Sequence, residues 1–244
     1  MLDKISTRAP ESFDKKETKE KTGEILEEIA SLQNRMYAEA KHSLLVVIQG
    51  MDASGKDGLI KDVFTSINPM GVEVHSFKVP TEEELKHDFL WRIHKCAPEK
   101  GKITIFNRSH YEDVLVTRVH GITDDTMAKK RMKAINEFEK LLTGHNSTHI
   151  LKFYLHVSKE EQAERLQERM QNPEKMWKYN KNDFTEAEKR EQYLEYYEDV
   201  FKNCNDIPWQ IIPSDQNWYK CYLVAKAVRD AMKELKMQYP PLKN

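Results

Sequence analysis

Gly50-Met51-Asp52-Ala53-Ser54-Gly55-Lys56 carries the spacing Gly-x-x-x-x-Gly-Lys, which suits the gripping of a phosphate. Glycines let the backbone curl so that successive N–H groups face one anion, and the N-terminus of a following helix adds its dipole. Lys56 would then reach the phosphates at the transfer point. Asp57 follows the lysine, where such loops usually place the Ser or Thr that holds Mg²⁺. Asp52, inside the loop, is the obvious substitute, because hard cations prefer carboxylate oxygen; the other use of Asp52 is to close the turn through a side-chain hydrogen bond. A second polar cluster, Asn107-Arg108-Ser109-His110-Tyr111-Glu112-Asp113, runs straight out of the apolar stretch Ile103–Phe106. Open α/β sheets place their chemistry at such strand ends. The planar fork of Arg108 suits bidentate phosphate binding, with a surface salt bridge as its plainer use.

These residues need a frame. Leu44 to Ile48, apolar throughout and partly β-branched, reads as a strand buried on both faces, and Leu59, Ile60, Val63, Phe64 and Ile67 recur behind the loop at helical spacing. Residues 1–16 read as an arm with little order, and Thr18 to Lys41 as an amphipathic helix. Asn68 to Gly71 is a turn, and Val72 to Val79 a second strand. Thr81 is placed to cap a helix through Leu85, Phe89, Leu90 and Ile93, ending near Pro98 or Gly101. After the third strand, helices are expected over Tyr111–Val119 and Asp124–Thr143, a turn at Gly144 to Ser147, and a fourth strand over Ile150–Val157. Ser158-Lys159-Glu160-Glu161 opens a helix through Met170 as a capping box. An irregular stretch, Gln171 to Asp183, leads to a long helix over Thr185–Asn203, a fifth strand over Trp209–Pro213 and a last helix from Trp218 to Lys236. Strands separated by helices throughout predict an α/β fold, a doubly wound, five-stranded parallel sheet flanked by helices. One domain over 1–244 is expected, with an N-terminal arm and helix in 1–41 and a helical lid in 165–190.

The bulk numbers bound the function. The chain has 244 residues with 39 basic against 40 acidic, a net charge of −1, so no global attraction to nucleic acid or membrane is implied. Charged residues make up 32% and mean hydropathy is −0.76, as in a soluble, helix-rich protein. No apolar run approaches the ~20 residues of a membrane span. The charged N-terminus lacks the apolar core of a secretory signal. Cys96, Cys204 and Cys221 are scattered without CxxC spacing, which argues against a disulfide framework or a zinc site and for a reducing cytoplasm.

Four blocks in order resemble the family-2 polyphosphate kinases: Gly50 to Gly58, Phe77 to Glu84, Ile105 to Tyr111, and Pro173-Glu174-Lys175-Met176-Trp177-Lys178. Leu151 to Gln162 also matches that family's fourth strand and helix. The resemblance covers roughly Lys41 to the last helix. It implies a P-loop kinase-like fold that moves phosphate between inorganic polyphosphate and nucleotides with Mg²⁺, or Mn²⁺ in its place. Asp52 and the missing hydroxyl after Lys56 are features the family shares. Many members have Asp where this chain has Asn107, and Asn where it has Glu112. The combination here resembles the class III subgroup, associated with both nucleoside mono- and diphosphates as acceptors. Without a carboxylate at 107, no metal-ligand role is carried to that position.

On this resemblance Asp52, Lys56, Arg108 and Glu112 are the catalytic set, with Asp52 holding the metal. Gly50, Ala53, Ser54, Gly55, Asp57 and Gly58 cradle phosphate, and Asn107 and Tyr111 join them. Because polyphosphate is a linear polyanion, it needs a basic track in an otherwise neutral protein. Lys78, Arg118, Arg165, Arg169 and Lys178 are the candidates. Arg165 and Arg169 share one helix face; bonded to Glu161 or Glu168 they would be an ordinary solvated face. Trp177 would cover a base or polyphosphate, or pin the lid to the body. Glu112 would meet the acceptor's ribose or phosphate, or simply favour a helix N-terminus. The implied partners are polyphosphate, adenine and by extension guanine nucleotides, and further copies of the chain as a dimer or tetramer. Two other readings fit the loop alone: an ATP-dependent nucleotide kinase of the thymidylate-kinase type, and a non-catalytic phosphate-binding module. Asp57 and the other three blocks weigh against the first, and the intact Asp52, Lys56 and Arg108 against the second.

Overall fold

Ser43–Gln49 (β1), Val72–Ser76 (β2), Ile103–Asn107 (β3), Thr148–His156 (β4) and Trp209–Pro213 (β5) form one parallel sheet in the order β2-β3-β1-β4-β5 in a computed structural model, which describes residues 1–242. Residues 243 and 244, the end of the single domain expected from the sequence, lie outside the described residues. The helices are Lys15–Glu39 (α1), Lys56–Phe64 (α2), Trp91–His94 (α3), Glu112–Val119 (α4), Asp125–Asn146 (α5), Lys159–Gln171 (α6), Lys181–Glu188 (α7), Arg190–Asn203 (α8) and Asn217–Glu234 (α9).

The central strand shows why the sheet is covered twice. All of β1 is buried, and its side chains alternate between two cores. Leu44, Val46 and Ile48 pack with Ile29 of α1, Leu59 of α2 and Val228 of α9, whereas Leu45 and Val47 pack with Val114 of α4, Ile135 of α5 and Val200 of α8. Each such burial contributes about 1.5–3 kcal/mol. A helix on each side is therefore the only way to hide an uninterrupted apolar strand. The register pairs Ile48 with Asn107 and Gln49 with Tyr154, so the chain leaves β1 between the ends of β3 and β4, where the strand order reverses.

Five expectations are corrected. The N-terminal arm is docked: Leu2 is fully buried, and Met1 and Leu2 donate to Glu198 at 2.5 and 2.7 Å. Thr7 donates to Asp215 and Ala9 to Gln216, so single side chains anchor a segment that composition alone reads as loose. Thr81 and Glu84 do form a reciprocal capping box (2.8 and 3.2 Å), but it opens only a 3-10 turn. Asp88 caps the chain again at Leu90, and α3 is a single turn. The helix expected from Thr185 begins earlier, at Lys181, capped by Asn180, whose side chain accepts from Asn182 N, and breaks at Lys189 into α7 and α8. No turn forms at Gly144; α5 continues through Asn146 and ends on Ser147 in the left-handed conformation (φ 53°). The second strand also stops short, at Ser76. Among the described residues no helix is long and apolar enough to cross a membrane.

Beneath the end of β3 lies a buried polar cluster. Lys152 of β4 donates to Glu139 of α5 (2.8 Å), the Tyr111 hydroxyl (2.9 Å) and the Cys204 carbonyl (3.0 Å). Tyr111 donates to the other Glu139 oxygen at 2.7 Å. Burial alone would push the Glu139 carboxyl up, but His110 and Lys152 outweigh it and hold the group below its ordinary range. Removing one member strands a charge in a medium that cannot solvate it. Glu139→Gln is therefore expected to cost about 3–5 kcal/mol in urea denaturation. A loss below about 1 kcal/mol would contradict the assignment of a compensated ion pair.

Candidate active site

The turn between β1 and α2 is held from several directions. A Cβ at Gly50 would lie 3.0 Å from the Leu155 carbonyl and 2.7 Å from Ser54 Oγ, so the loop's first residue passes too close to β4 for a side chain. Gly55 has φ 89°, and a Cβ there would run into Lys220 Nζ. Ala53 takes the left-handed conformation without being glycine (φ 61°), a backbone strain the surroundings must impose. Lys56, the first residue of α2, is buried and donates to the carbonyls of Gly50 (2.6 Å) and Met51 (3.1 Å). Burial, with Arg108 adding to it, brings its ammonium down to about 8 despite Asp52 and Glu112 nearby. Ser54 Oγ is buried with no hydrogen-bond partner among the described residues, and Gly58 borders open space.

Arg108 is the second strained residue (φ 62°); its N–H donates to Ile48 O at 3.0 Å, which ties the end of β3 to β1. The residues behind it turn inward. Ser109 accepts from Gln49 Nε2 at 3.0 Å, and His110 and Tyr111 enter the buried polar cluster. Arg108 is left to face the loop, with one guanidinium nitrogen 2.5 Å from Asp52 Oδ1 and the other 3.6 Å from Glu112 Oε2. Burial raises the Glu112 carboxyl, against the opposing pull of Arg108 and Lys56. Asp52, Arg108 and Glu112 line one wall of a cleft that continues between Val116 of α4, Ala187 of α7 and Tyr193 of α8. This arrangement can hold an anion at Arg108, with the charge of Lys56 adding to it, and a less polar group against Val116 and Tyr193.

Asp57 accepts from Asn107 Nδ2 (2.9 Å) and Lys178 Nζ (3.2 Å), so the loop, β3 and the 171–183 segment meet at one carboxylate. Although burial opposes it, those two hydrogen bonds bring Asp57 below its ordinary range. Arg169 pairs with Asp183 at 2.5 Å. Lys78 is exposed, its own carbonyl accepting from Arg92. Trp177 is 75% exposed and its Nε1 bonds only to Glu174 O of its own turn, so it does not pin the segment to the body.

Two candidates lie elsewhere, and a third, Arg165, meets the loop only from behind. The Tyr111 side chain has no exposed surface and belongs to the Glu139–Lys152 cluster. Arg118 is held by Asp125 (2.7 Å) and Asp199 (2.8 Å) over the Tyr196 ring. Arg165 gives four of its five N–H donors to the protein: one to Glu161, and three to the carbonyls of Ala53, Ser214 and Asp215. Its pairing with Glu161 is the plain helix-face contact the spacing allowed. Residues the sequence did not single out also reach the loop. Gln162 donates to Asp52 O at 3.1 Å, and Lys220 donates to Ser54 O (3.4 Å) and Gly55 O (3.3 Å). Their positions in amphipathic helices offered no local signal beyond a polar residue on an apolar face.

Among the described residues no three Asp, Glu, His or Cys side chains gather as a metal cage. Asp52 and Glu112 on either side of Arg108 nevertheless fit Mg²⁺, which is commonly held by one or two carboxylates together with substrate phosphates.

The family description "Polyphosphate kinase 2 (PPK2)" matches residues 12–240. The chain is 48% identical over 214 residues to an AMP/ADP-polyphosphate phosphotransferase of Meiothermus ruber, covering 87% of this chain and 80% of that protein. It is 39% identical over 242 residues to an ADP-polyphosphate phosphotransferase of Rhodopseudomonas palustris, covering 92% and 83%. The crystal structure of polyphosphate kinase 2 from Arthrobacter aurescens TC1 superposes with a TM-score of 0.96 at 35% identity, covering all of this chain and 89% of that one. A Gly-x-x-x-x-Gly-Lys turn after a buried strand, an arginine beside it from the neighbouring strand and this likeness along nearly the whole length lead to one conclusion: the chain belongs to the polyphosphate kinase 2 family.

Proposed function

We propose that this chain transfers phosphoryl groups from inorganic polyphosphate to AMP and ADP, reversibly, with Mg²⁺ as the metal. The observation that carries the reading is the meeting of Asp52 and Arg108 on the wall of one cleft, with Lys56 close enough to couple electrostatically to both, in a chain so similar to a protein named for these two acceptors. Phosphoryl transfer asks the protein mainly to align two phosphates and to neutralise charge. Lys56 and the loop amides hold the transferring group. Arg108 exchanges its contact with Asp52 for a phosphate oxygen, which frees that carboxylate for the cation. Bound Mg²⁺ supplies further charge neutralisation across the phosphates. Glu112, beside Arg108 and raised by burial, supports the shorter acceptor through its ribose or phosphate, while Tyr193 and Val116 border the space for the nucleoside. Lys78, Lys178 and Arg169 form the track for the polymer, with Lys178 and Arg169 exchanging Asp57 and Asp183 for phosphates. Cytoplasmic location, assembly as a dimer or tetramer and use of guanine nucleotides complete the reading.

Donor choice tests it against an ATP-dependent kinase: with AMP and Mg²⁺, polyphosphate is expected to yield ADP and then ATP. Product formed from ATP but not from polyphosphate would reverse the conclusion. Lys56→Ala and Arg108→Ala are each expected to lower kcat by on the order of 10²–10³ or more, because both contacts tighten on the charge that develops in transfer. Near-normal turnover in folded protein would remove them from the catalytic set. Lys56 also sets a pH dependence. Its ammonium is lowered to about 8, so it is charged below that pH and neutral above it. For the free enzyme, kcat/KM for polyphosphate should accordingly fall as pH rises through about 8, whereas a profile flat to about pH 9.5 would mean that the charge persists. Glu112→Asn should shift use towards ADP over AMP. An unchanged AMP-to-ADP ratio, with both activities and stability lowered in parallel, would leave Glu112 a structural residue.

A further inference from the structure

Six consecutive carbonyls, from Gly50 to Gly55, are each taken by a side chain. Lys56 accounts for Gly50 and Met51, and Gln162 for Asp52. Arg165 Nη1 donates to Ala53 O at 3.1 Å, and Lys220 Nζ reaches both Ser54 O and Gly55 O. Gln162 is itself fixed, because Arg190 donates to its Oε1 at 2.8 Å and to Val157 O at 2.6 Å. A trans peptide is planar, with its C=O and N–H pointing opposite ways, so a captured carbonyl sets the direction of the next residue's N–H. Lys56 is required by the phosphate itself, which leaves Gln162, Arg165 and Lys220 as the grips that remain when the site is filled.

Lys220 is the least expected of the three. It is 1% exposed on the first turn of α9, and apart from the two loop carbonyls it donates to Asn217 Oδ1 at 2.9 Å. Among the described residues it has no salt-bridge partner. A buried ammonium held by neutral oxygens is a costly device for packing alone, since a well-packed apolar side chain is the cheaper solution. Of the N–H groups that follow the gripped carbonyls, that of Ser54 donates to Met51 O at 3.2 Å, whereas those of Ala53, Gly55 and Lys56 take no acceptor among the described residues and are the ones free for an anion.

We propose that Lys220, with Arg165 and Gln162, is a positioning residue: it grips the loop's carbonyls from behind, keeping the N–H groups turned towards phosphate, and its buried charge is offset by the anion bound in front. This rests on the loop binding phosphate, but not on which donor or acceptor is used.

The test is calorimetric titration of inorganic tripolyphosphate with Mg²⁺ into wild type, Lys220→Met, Lys220→Gln and the core control Val224→Ala, with Tm measured for each. Val224 is fully buried on the same helix and touches no part of the loop's hydrogen bonding, so it reports destabilisation alone. Lys220→Met is expected to weaken Kd by on the order of 10-fold or more, the size of a lost charge-assisted hydrogen bond. Lys220→Gln, which keeps a donor without the charge, should fall between, and Val224→Ala should lower Tm with Kd unchanged. Wild-type affinity in either folded Lys220 variant overturns the proposal, as does failure of both to fold, which would assign Lys220 to packing. Absence of binding by wild type would instead count against the phosphate site itself.

Discussion

A phosphate in the cleft must be met by several positive groups at once, and none of them can be moved far by a single side chain. What places them is β1, a strand buried on both faces that ends in the turn Gly50 to Lys56. Because Leu44 to Ile48 are locked between two cores, the turn begins at a fixed point; because β3 pairs with β1 in register, Arg108 arrives beside it. The Arg108–Asp52 contact is the meeting of these two constraints. Its charges are opposite and close, yet neither is deeply buried, so a phosphate can compete for the arginine and a cation for the aspartate.

The rigidity of this corner comes from residues that never reach substrate. Ser109, His110 and Tyr111 turn away from the cleft and are fastened to Gln49, Glu139 and Lys152, which leaves Arg108 alone to point outward from a strained backbone. The 171–189 region is fastened by polar side chains: Lys178 on Asp57, Arg169 on Asp183, and His120 and Tyr193 on Glu186. The first contact lies at the surface and the second is partly buried, and in each a polyanion can replace the carboxylate. A firmly held loop beside a segment fastened by exchangeable ion pairs suits a polymer that has to enter, lose a phosphate and leave.

The frame was legible in the sequence because its signals are local. Five apolar residues before a glycine-rich turn, a polar cluster after Ile103–Phe106 and the cap at Ser158 all report on neighbouring residues, and each element stands where expected. Other features depend on partners far along the chain. Arg165 shows its pairing with Glu161 at helical spacing, but nothing local reveals the Ala53, Ser214 and Asp215 carbonyls to which it also donates. Tyr111 sits within a polar run and looks like part of the site; only Lys152, on a different strand, draws it into the core. Leu2 and Glu198 anchor an arm whose composition reads as unstructured. After Thr81 the capping box is real, yet Asp88 restarts the chain before a helix can grow.

One experiment bears most directly on the central claim that a single loop site draws phosphate from polyphosphate for both acceptors. Following AMP, Mg²⁺ and polyphosphate by ³¹P NMR resolves the donor's internal phosphates and all three nucleotides in the same sample. The account requires internal polyphosphate to be consumed as ADP rises and then declines into ATP, with one phosphate lost from the polymer for each transferred, and with both steps slowed on the order of 10²–10³-fold or more in Lys56→Ala. Nucleotide interconversion without consumption of polyphosphate, or ATP formation at a near-normal rate in Lys56→Ala, would contradict it.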